Sequence, residues 1–415
     1  MPPLLPGGVH HGWPTNPPPL HGNTSEGSPL RSIGIVTTSR ADYSCYRPLL
    51  KALHADPELS PKLYVSGTHL SPEFGLTVRF IENDGIEIVE RIEMLLSSDT
   101  PEAIAKSMGL ALIGFSQAFS KYRPDILVVL GDRYEMLAAA LAALPFKVPV
   151  AHLCGGEVTQ GAIDDALRHS MTKLSHLHFT ATEDYARRVI QLGEDPNRVV
   201  VSGEPTLDHI LAAPQLTPKE LRQRFGVDVE RPFLLVTFHP VTLEYEDVEQ
   251  QIDELLHALD QAGISVIFTM PNADTAGRII STKIRQWVQS HPEIGKLVDN
   301  FGVEAYHSVL RHAVAVVGNS SSGIIEAPSF KIPTVNVGIR QAGRIRAASV
   351  IDVVPNRAKI LAAIRKAASK EFRNSLQSLV NPYASKTNSA VPTIVDVLKR
   401  IELGDALLQK KFYDL

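Results

Sequence analysis

The side chains of this sequence that could do chemistry stand in short clusters, each directly after an apolar run. Ser39-Arg40-Ala41-Asp42 follows SIGIVTT, Thr68-His69 follows LYVSG, and Gly131-Asp132-Arg133 follows DILVVL. Gly155-Gly156-Glu157 follows VPVAHL and Cys154, His239-Pro240 follows FLLVTF, and Gly318-Asn319-Ser320-Ser321-Ser322-Gly323 follows AVAVV. The last cluster has the makings of a phosphate cradle. Small residues let backbone N–H groups close on an anion, Ser320 and Ser321 add hydroxyl donors, and a following helix would add its positive end. The structural alternative is a plain serine N-cap. Glu326, inside the expected helix, suits sugar hydroxyls such as a ribose pair, and Arg340 and Arg40 suit a phosphate charge. Neither G-x-x-x-x-G-K-[ST] nor a G-x-G-x-x-G after the first apolar run occurs, which disfavours P-loop NTPases and nicotinamide dehydrogenases.

Asp132, Glu157, Asp164 and Asp165 form an acid group. Asp132 leaves a buried run, and Glu157 follows two glycines. Asp164 and Asp165, with Arg168, open a helix, where the dipole favours acids in any case. Carboxylates gathered in one desolvated cleft have their proton affinities pushed apart. That suits proton abstraction from carbon and protonation of a leaving group. His69, His152 and His239 sit at the ends of apolar runs, whereas His176 and His178 read as packed residues. No H-E-x-x-H or other metal spacing is present. Cys154 reads as a small buried residue.

The elements that must position these clusters alternate. Apolar runs at 32–38, 63–66, 86–91, 125–130, 148–153 and 178–181 predict strands, with helices predicted over 46–54, 103–122, 134–144 and 183–192. The same order restarts near Arg231, with strands at 233–237, 265–270, 313–317 and 333–337 and helices over 247–262 and 275–290. Continuous apolar strands separated by helices imply parallel sheets covered on both faces, joined by right-handed crossovers. The expected architecture is α/β, two doubly wound Rossmann-like domains, with every polar cluster at a strand C-terminus, where such sheets bind ligands. Two such edges facing each other make a cleft. The boundary is expected at 205–232, interrupted by Pro214 and Pro218.

The chain has 415 residues, 44% hydrophobic and 21% charged, which excludes a disordered, collagen-like or coiled-coil chain. Lys and Arg total 41 against 45 Asp and Glu, a net charge of −4, so bulk electrostatics recruit neither nucleic acid nor an anionic membrane. No apolar run is long enough to span a bilayer. Two cysteines exclude a disulfide framework and suit a reducing cytoplasm. Residues 1–30 hold eight prolines, five glycines and no Lys or Arg, and read as a disordered tail rather than a signal peptide.

Taken together and in order, these clusters resemble the hydrolysing UDP-N-acetylglucosamine 2-epimerases. Ala162-Ile163-Asp164-Asp165 with Arg168-His169, and Lys173 to Phe179, strengthen the likeness, which runs from about Ser32 to about Val395. It implies a fold similar to the glycosyltransferase-B type, with 31–205 and 206–381 as the two domains and 382–415 crossing back to the first, residues 390–408 being the candidate helix. It implies Asp132, Glu157, Asp164 and His239 as catalytic groups. UDP-sugar contacts would come from Arg40, Asp42, His69, Arg133, Arg168, His239, Asn319, Ser320, Ser321, Ser322, Gly323, Glu326 and Arg340. The chemistry implied is loss of UDP with the C2 proton to give a 2-acetamidoglucal, then hydration to a free mannose-configured sugar, with no metal or cofactor. The sugar is either N-acetylglucosamine or a 2,4-diacetamido-2,4,6-trideoxy relative, on the way to sialic- or legionaminic-type acids. A cytoplasmic homodimer or homotetramer is implied. Alternatives of the same fold are a retaining glycosyltransferase, a non-hydrolysing 2-epimerase and a non-catalytic nucleotide-sugar sensor. The sequence departs from many relatives at Cys154, where they carry Glu, so Glu157 or Asp164 would take that role.

Overall fold

The computed structural model describes residues 30–212, 215–271, 276–299, 301–385 and 389–415. The expected tail, apart from Leu30, and Pro214 in the expected boundary lie outside the described residues. Seven strands form the first sheet: β1 Arg31–Thr37, β2 Leu59–Ser66, β3 Ile88–Ile92, β4 Ile126–Leu130, β5 Val150–Leu153, β6 Leu177–Thr180 and β7 Val199–Val201. Their order is β3-β2-β1-β4-β5-β6-β7. Six more form the second: β8 Phe233–Thr237, β9 Ser265–Thr269, β10 Gly295–Val298, β11 Ala315–Gly318, β12 Thr334–Val337 and β13 Val350–Val353, in the order β10-β9-β8-β11-β12-β13. Every pairing is parallel, as the continuous apolar runs required. No described helix is long and apolar enough to cross a membrane.

Three strands escaped the sequence reading: β7, β10 and β13. Each is an edge strand of three or four residues with partly exposed positions. An edge strand faces solvent on one side and so carries no long apolar run. The first helix starts earlier than expected, at Arg40 rather than Tyr46. The Ser39 hydroxyl accepts from the Asp42 N–H while the Asp42 carboxylate accepts from the Ser39 N–H, a reciprocal cap that nucleates the turn. Pro48 sits inside this helix and removes one backbone donor.

The expected helix over 390–408 is two helices, Val391–Arg400 and Asp405–Leu408. The first ends where Ile401 turns out of helical geometry, and Gly404, at φ 139°, caps the start of the second. Ala390, Val391, Ile394, Leu398 and Leu407 all bury into the core of the first sheet, beside Leu49, Leu50 and Leu53. Each large side chain fully buried there contributes about 1.5–3 kcal/mol. Arg31 adds two hydrogen bonds, at 2.7 and 2.6 Å, to the carbonyls of Leu398 and Lys399. The end of the chain is thereby fastened to the first strand.

Candidate active site

The C-terminal edges of the two sheets enclose a cavity of about 290 Å³. From the first sheet it is lined by Arg40, Asp42, Asp132, Arg133, Glu157, Asp164 and Arg168, and from the second by His239, Ser320, Ser321, Ser322, Glu326 and Arg340. Three expected contacts do not line it. His69 is 1% exposed and locked between the hydroxyls of Thr37 (3.0 Å) and Thr77 (2.7 Å). Asn319, fully buried, accepts from the His239 N–H at 2.7 Å and donates to its carbonyl at 2.8 Å, so it holds the loop after β8 against the loop after β11. Gly323 packs under β12, where a Cβ would come 2.6 Å from the Thr334 methyl.

The loop after β11 is shaped by Gly318, at φ 130°, where a Cβ would stand 2.0 Å from the Thr237 carbonyl oxygen. Only glycine lets β8 and β11 come this close. The helix that follows is a single turn, Ser322–Ile325, rather than the longer helix expected, and it passes into a 3₁₀ turn, Ala327–Phe330, containing Pro328. A proline there supplies no N–H for a further α-turn. The dipole of one turn is small, so hydroxyls and cations must do most of the anion binding. The N-cap Ser321 makes no side-chain cap, but Ser320 Oγ, one residue earlier, accepts from the Ser322 N–H at 3.3 Å and still has its own proton to donate. Ser322 donates to Glu326 Oε2 at 2.7 Å, and His307 Nε2 meets the same oxygen at 3.3 Å. Burial pushes the Glu326 carboxyl up, but the His307 hydrogen bond and charge and the Ser322 hydroxyl outweigh it and leave it below the usual range.

Arg40 faces the cavity with no carboxylate partner among the described residues. Burial lowers its proton affinity to about 10. A desolvated guanidinium of this kind is set up for an anion that arrives with the ligand. Arg133 instead holds Glu135 at 3.0 Å. Asp42 lines the cavity but spends its oxygens on the β1 loop, accepting from the N–H groups of Thr38 (3.0 Å) and Ser39 (2.9 Å) and from the Thr38 hydroxyl (2.7 Å).

The acids sit in different company. Asp132 is ion-paired with Arg168, which is 1% exposed and also donates to Thr159 Oγ1 at 3.1 Å. Beneath them His152 meets the Gly131 carbonyl at 2.8 Å and fixes the turn that presents Asp132; burial holds its ring at about 4, neutral at physiological pH. Asp165 accepts from the Thr159 N–H at 2.7 Å and shapes the loop. Glu157, 2% exposed, is ion-paired with Arg344 from the loop after β12. Burial raises its carboxyl to about 7, against the pull of Arg344 and with the push of Glu204. Cys154, between β5 and the glycines, takes φ 61°, an uncommon backbone for a residue with a side chain.

Among the lining residues not found from sequence are Arg344, Glu204 and His307. Glu204 follows β7, the strand too short to be seen. It stands at a strand end like the other clusters, so recognising β7 would have exposed it. Arg344 lies well beyond β12 and carries no strand-end signal.

The family profile of UDP-N-acetylglucosamine 2-epimerases matches residues 51–399. The chain belongs to the UDP-N-acetylglucosamine 2-epimerase family. Among relatives of this epimerase-family chain, the hydrolysing GDP/UDP-N,N'-diacetylbacillosamine 2-epimerase of Campylobacter jejuni is 41% identical over 388 residues, 93% of this chain and 99% of the relative. The hydrolysing UDP-N,N'-diacetylbacillosamine 2-epimerase of Legionella pneumophila is 37% identical over 341 residues, 82% and 90% of the two chains. The crystal structure of UDP-GlcNAc 2-epimerase from Neisseria meningitidis bound to UDP-GlcNAc superposes with a TM-score of 0.75 at 17% identity, covering 88% of this chain and 99% of that one. The two-sheet architecture is thus the fold of that enzyme.

Proposed function

We propose that this chain is a hydrolysing 2-epimerase of a UDP-2-acetamido sugar, with UDP-2,4-diacetamido-2,4,6-trideoxyglucose, the diacetylbacillosamine nucleotide, as substrate. One observation carries the reading: acids from the first sheet, and from the second the serines of the loop after β11 with Arg340 of the loop after β12, line a single cavity. The relatives named for the diacetylbacillosamine nucleotide support the choice of sugar.

In the first stage a carboxylate takes the C2 proton. The C2–H electron pair becomes the C1=C2 bond, and the C1–O pair leaves with UDP. C2 is weakly acidic, so the leaving charge must be stabilised as it grows. Arg40, Arg340 and the Ser320 and Ser321 hydroxyls meet it, with Arg133, Ser322 and Glu326 around the rest of the nucleotide and His239 beside the leaving phosphate. In the second stage water adds its hydroxyl to C1, and a proton returns to the other face of C2. Glu157 suits proton exchange because a group titrating near neutrality can both take and give. Asp132, held by Arg168, and Asp164 complete the acid set. Residues 31–205 and 206–381 act as the two domains about the cleft, with 382–415 returning to the first. We place the protein in the cytoplasm, where its two free thiols stay reduced, as a homodimer or homotetramer. The likeness to the Escherichia coli polysialic acid biosynthesis protein P7, 36% identical over 388 residues, supports a product destined for sialic- or legionaminic-type acids.

The test is an NMR time course in D2O with UDP-N-acetylglucosamine and the UDP-diacetamido sugar. UDP, free manno-configured sugar and one deuterium at C2 are expected. Product that keeps its C2 proton would sink the elimination route. A UDP-linked epimer would indicate the non-hydrolysing reaction, release only with an acceptor a glycosyltransferase, and binding without turnover a sensor.

A further inference from the structure

Glu204 is 4% exposed and lines the same cavity, yet the mechanism above does not use it. Its Oε1 accepts from the Thr206 hydroxyl at 2.9 Å and its Oε2 from the Cys154 thiol at 3.3 Å. Cys154 Sγ, one Glu157 oxygen and one Glu204 oxygen lie within 4.8 Å of one another. Glu157 has Arg344, but its Oε1 is buried with no hydrogen-bond partner among the described residues. Two carboxylates this close in a low dielectric repel strongly, and Arg344, paired with Glu157, offsets that repulsion only in part. The arrangement has a place for one proton more than its charges can hold off.

We propose that Glu204 is a positioning residue for proton transfer: it shares one proton with Glu157 beside the Cys154 thiol, and so sets the pH at which Glu157 gives or takes a proton at the substrate. This rests on the epimerase reading of Glu157. The groups that face the pair are Arg344 and Arg188, which favour charge on Glu157, and Cys154, Cys45, Tyr185 and Tyr383. Burial raises all four of the latter, so the thiols and phenols keep their protons at neutral pH. Burial also raises Glu204 itself, against the Thr206 and Cys154 hydrogen bonds. Proton exchange near neutrality therefore falls to the carboxyl pair, which titrates as a unit.

The test uses the full chain with Glu204→Gln and Glu204→Asp, following UDP release from the UDP-diacetamido sugar across pH. Glu204→Gln removes the neighbouring charge that makes Glu157 hard to ionise. The limb of the kcat profile that belongs to Glu157 should move to lower pH by about one unit or more, kcat should fall roughly tenfold or more, and UDP affinity should stay at the parental value. Glu204→Asp should recover part of both effects. A folded Glu204→Gln with an unmoved limb overturns the proposal, because a merely structural role would change stability and leave the profile in place. Should Glu204→Gln fail to fold, infrared titration of the parent decides: a buried protonated carboxyl should be lost between about pH 5 and about pH 8, and its absence overturns the proposal. A parent that shows this titration yet releases no UDP from either sugar would sink the epimerase reading, and with it the catalytic role, while leaving the shared proton intact.

Discussion

Glu157 and Arg344 form an ion pair between the loop after β5 and the loop after β12, with side chains 3% and 6% exposed. It is one of several ties across the cleft. Gln160 donates its N–H to the Ala342 carbonyl at 3.1 Å, Ile345 donates to the Tyr185 hydroxyl at 3.1 Å, and Tyr383 donates its hydroxyl to the Ile345 carbonyl at 3.1 Å.

Removing one partner of such a pair should be costly, since it leaves a buried charge alone. Arg344→Ala should destabilise the protein by about 3–5 kcal/mol in urea unfolding. Adding Glu157→Gln to Arg344→Ala should restore part of that loss, because the stranded carboxylate is then gone. Equal stability of the single and double variants would show that the pair is not coupled.

Asp132→Asn should lower both turnover and stability. The first follows from the loss of a carboxylate in the cleft, by about 10²-fold or more. The second follows from Arg168, which is buried and would lose the nearer of its two carboxylate partners, keeping Asp165 at 3.6 Å. Proton-transfer placement alone would leave the melting temperature untouched, so the pairing with Arg168 makes thermal unfolding the informative measurement. A parental melting temperature would contradict the ion pair.

For UDP binding, Arg40→Met should weaken affinity by about 1.5–3 kcal/mol in calorimetry, with folding stability unchanged or raised. The guanidinium is buried with no carboxylate partner among the described residues, so its loss removes a cost in the free protein. Ser320→Ala with Ser321→Ala should also weaken UDP. The lost Ser320 cap on the Ser322 N–H should cost about 1 kcal/mol of stability. Unchanged UDP affinity in the double variant would leave those serines with capping alone.

Away from the cleft, Glu194 accepts from Lys173 at 2.6 Å and meets His178 at 3.0 Å and Lys410 at 2.7 Å. Burial pushes its carboxyl up, but the hydrogen bonds of those three groups outweigh it and hold it at about 2. A depressed carboxyl contributes stability above its unfolded value, near 4.5, and loses it as pH falls toward about 2. The stability gap between the parent and Glu194→Gln should therefore be full at neutral pH and close on acidification. A gap independent of pH would assign Glu194 a packing role only.

The sequence alone determined where the chemistry stands along the chain. Buried parallel strands need unbroken apolar runs, and the turns that leave them need small and polar residues. The residue pattern therefore sufficed to place Asp132, Glu157, His239 and the serines after β11 at strand ends. The interior strands and most helices were legible for the same reason. Edge strand β7 was not, being three residues long and half wet, and Glu204 was lost with it. Only the tertiary structure decided which partner each acid has. Arg168 reaches Asp132 across 36 positions, and Arg344 comes to Glu157 from the other sheet. It also turned His69 and Asn319 inward and cut the helix after the serine loop to one turn. Local pattern reports what a residue's neighbours in the chain require. Burial, ion pairing and proton affinity depend on groups brought close by folding, and no spacing in the sequence encodes those distances.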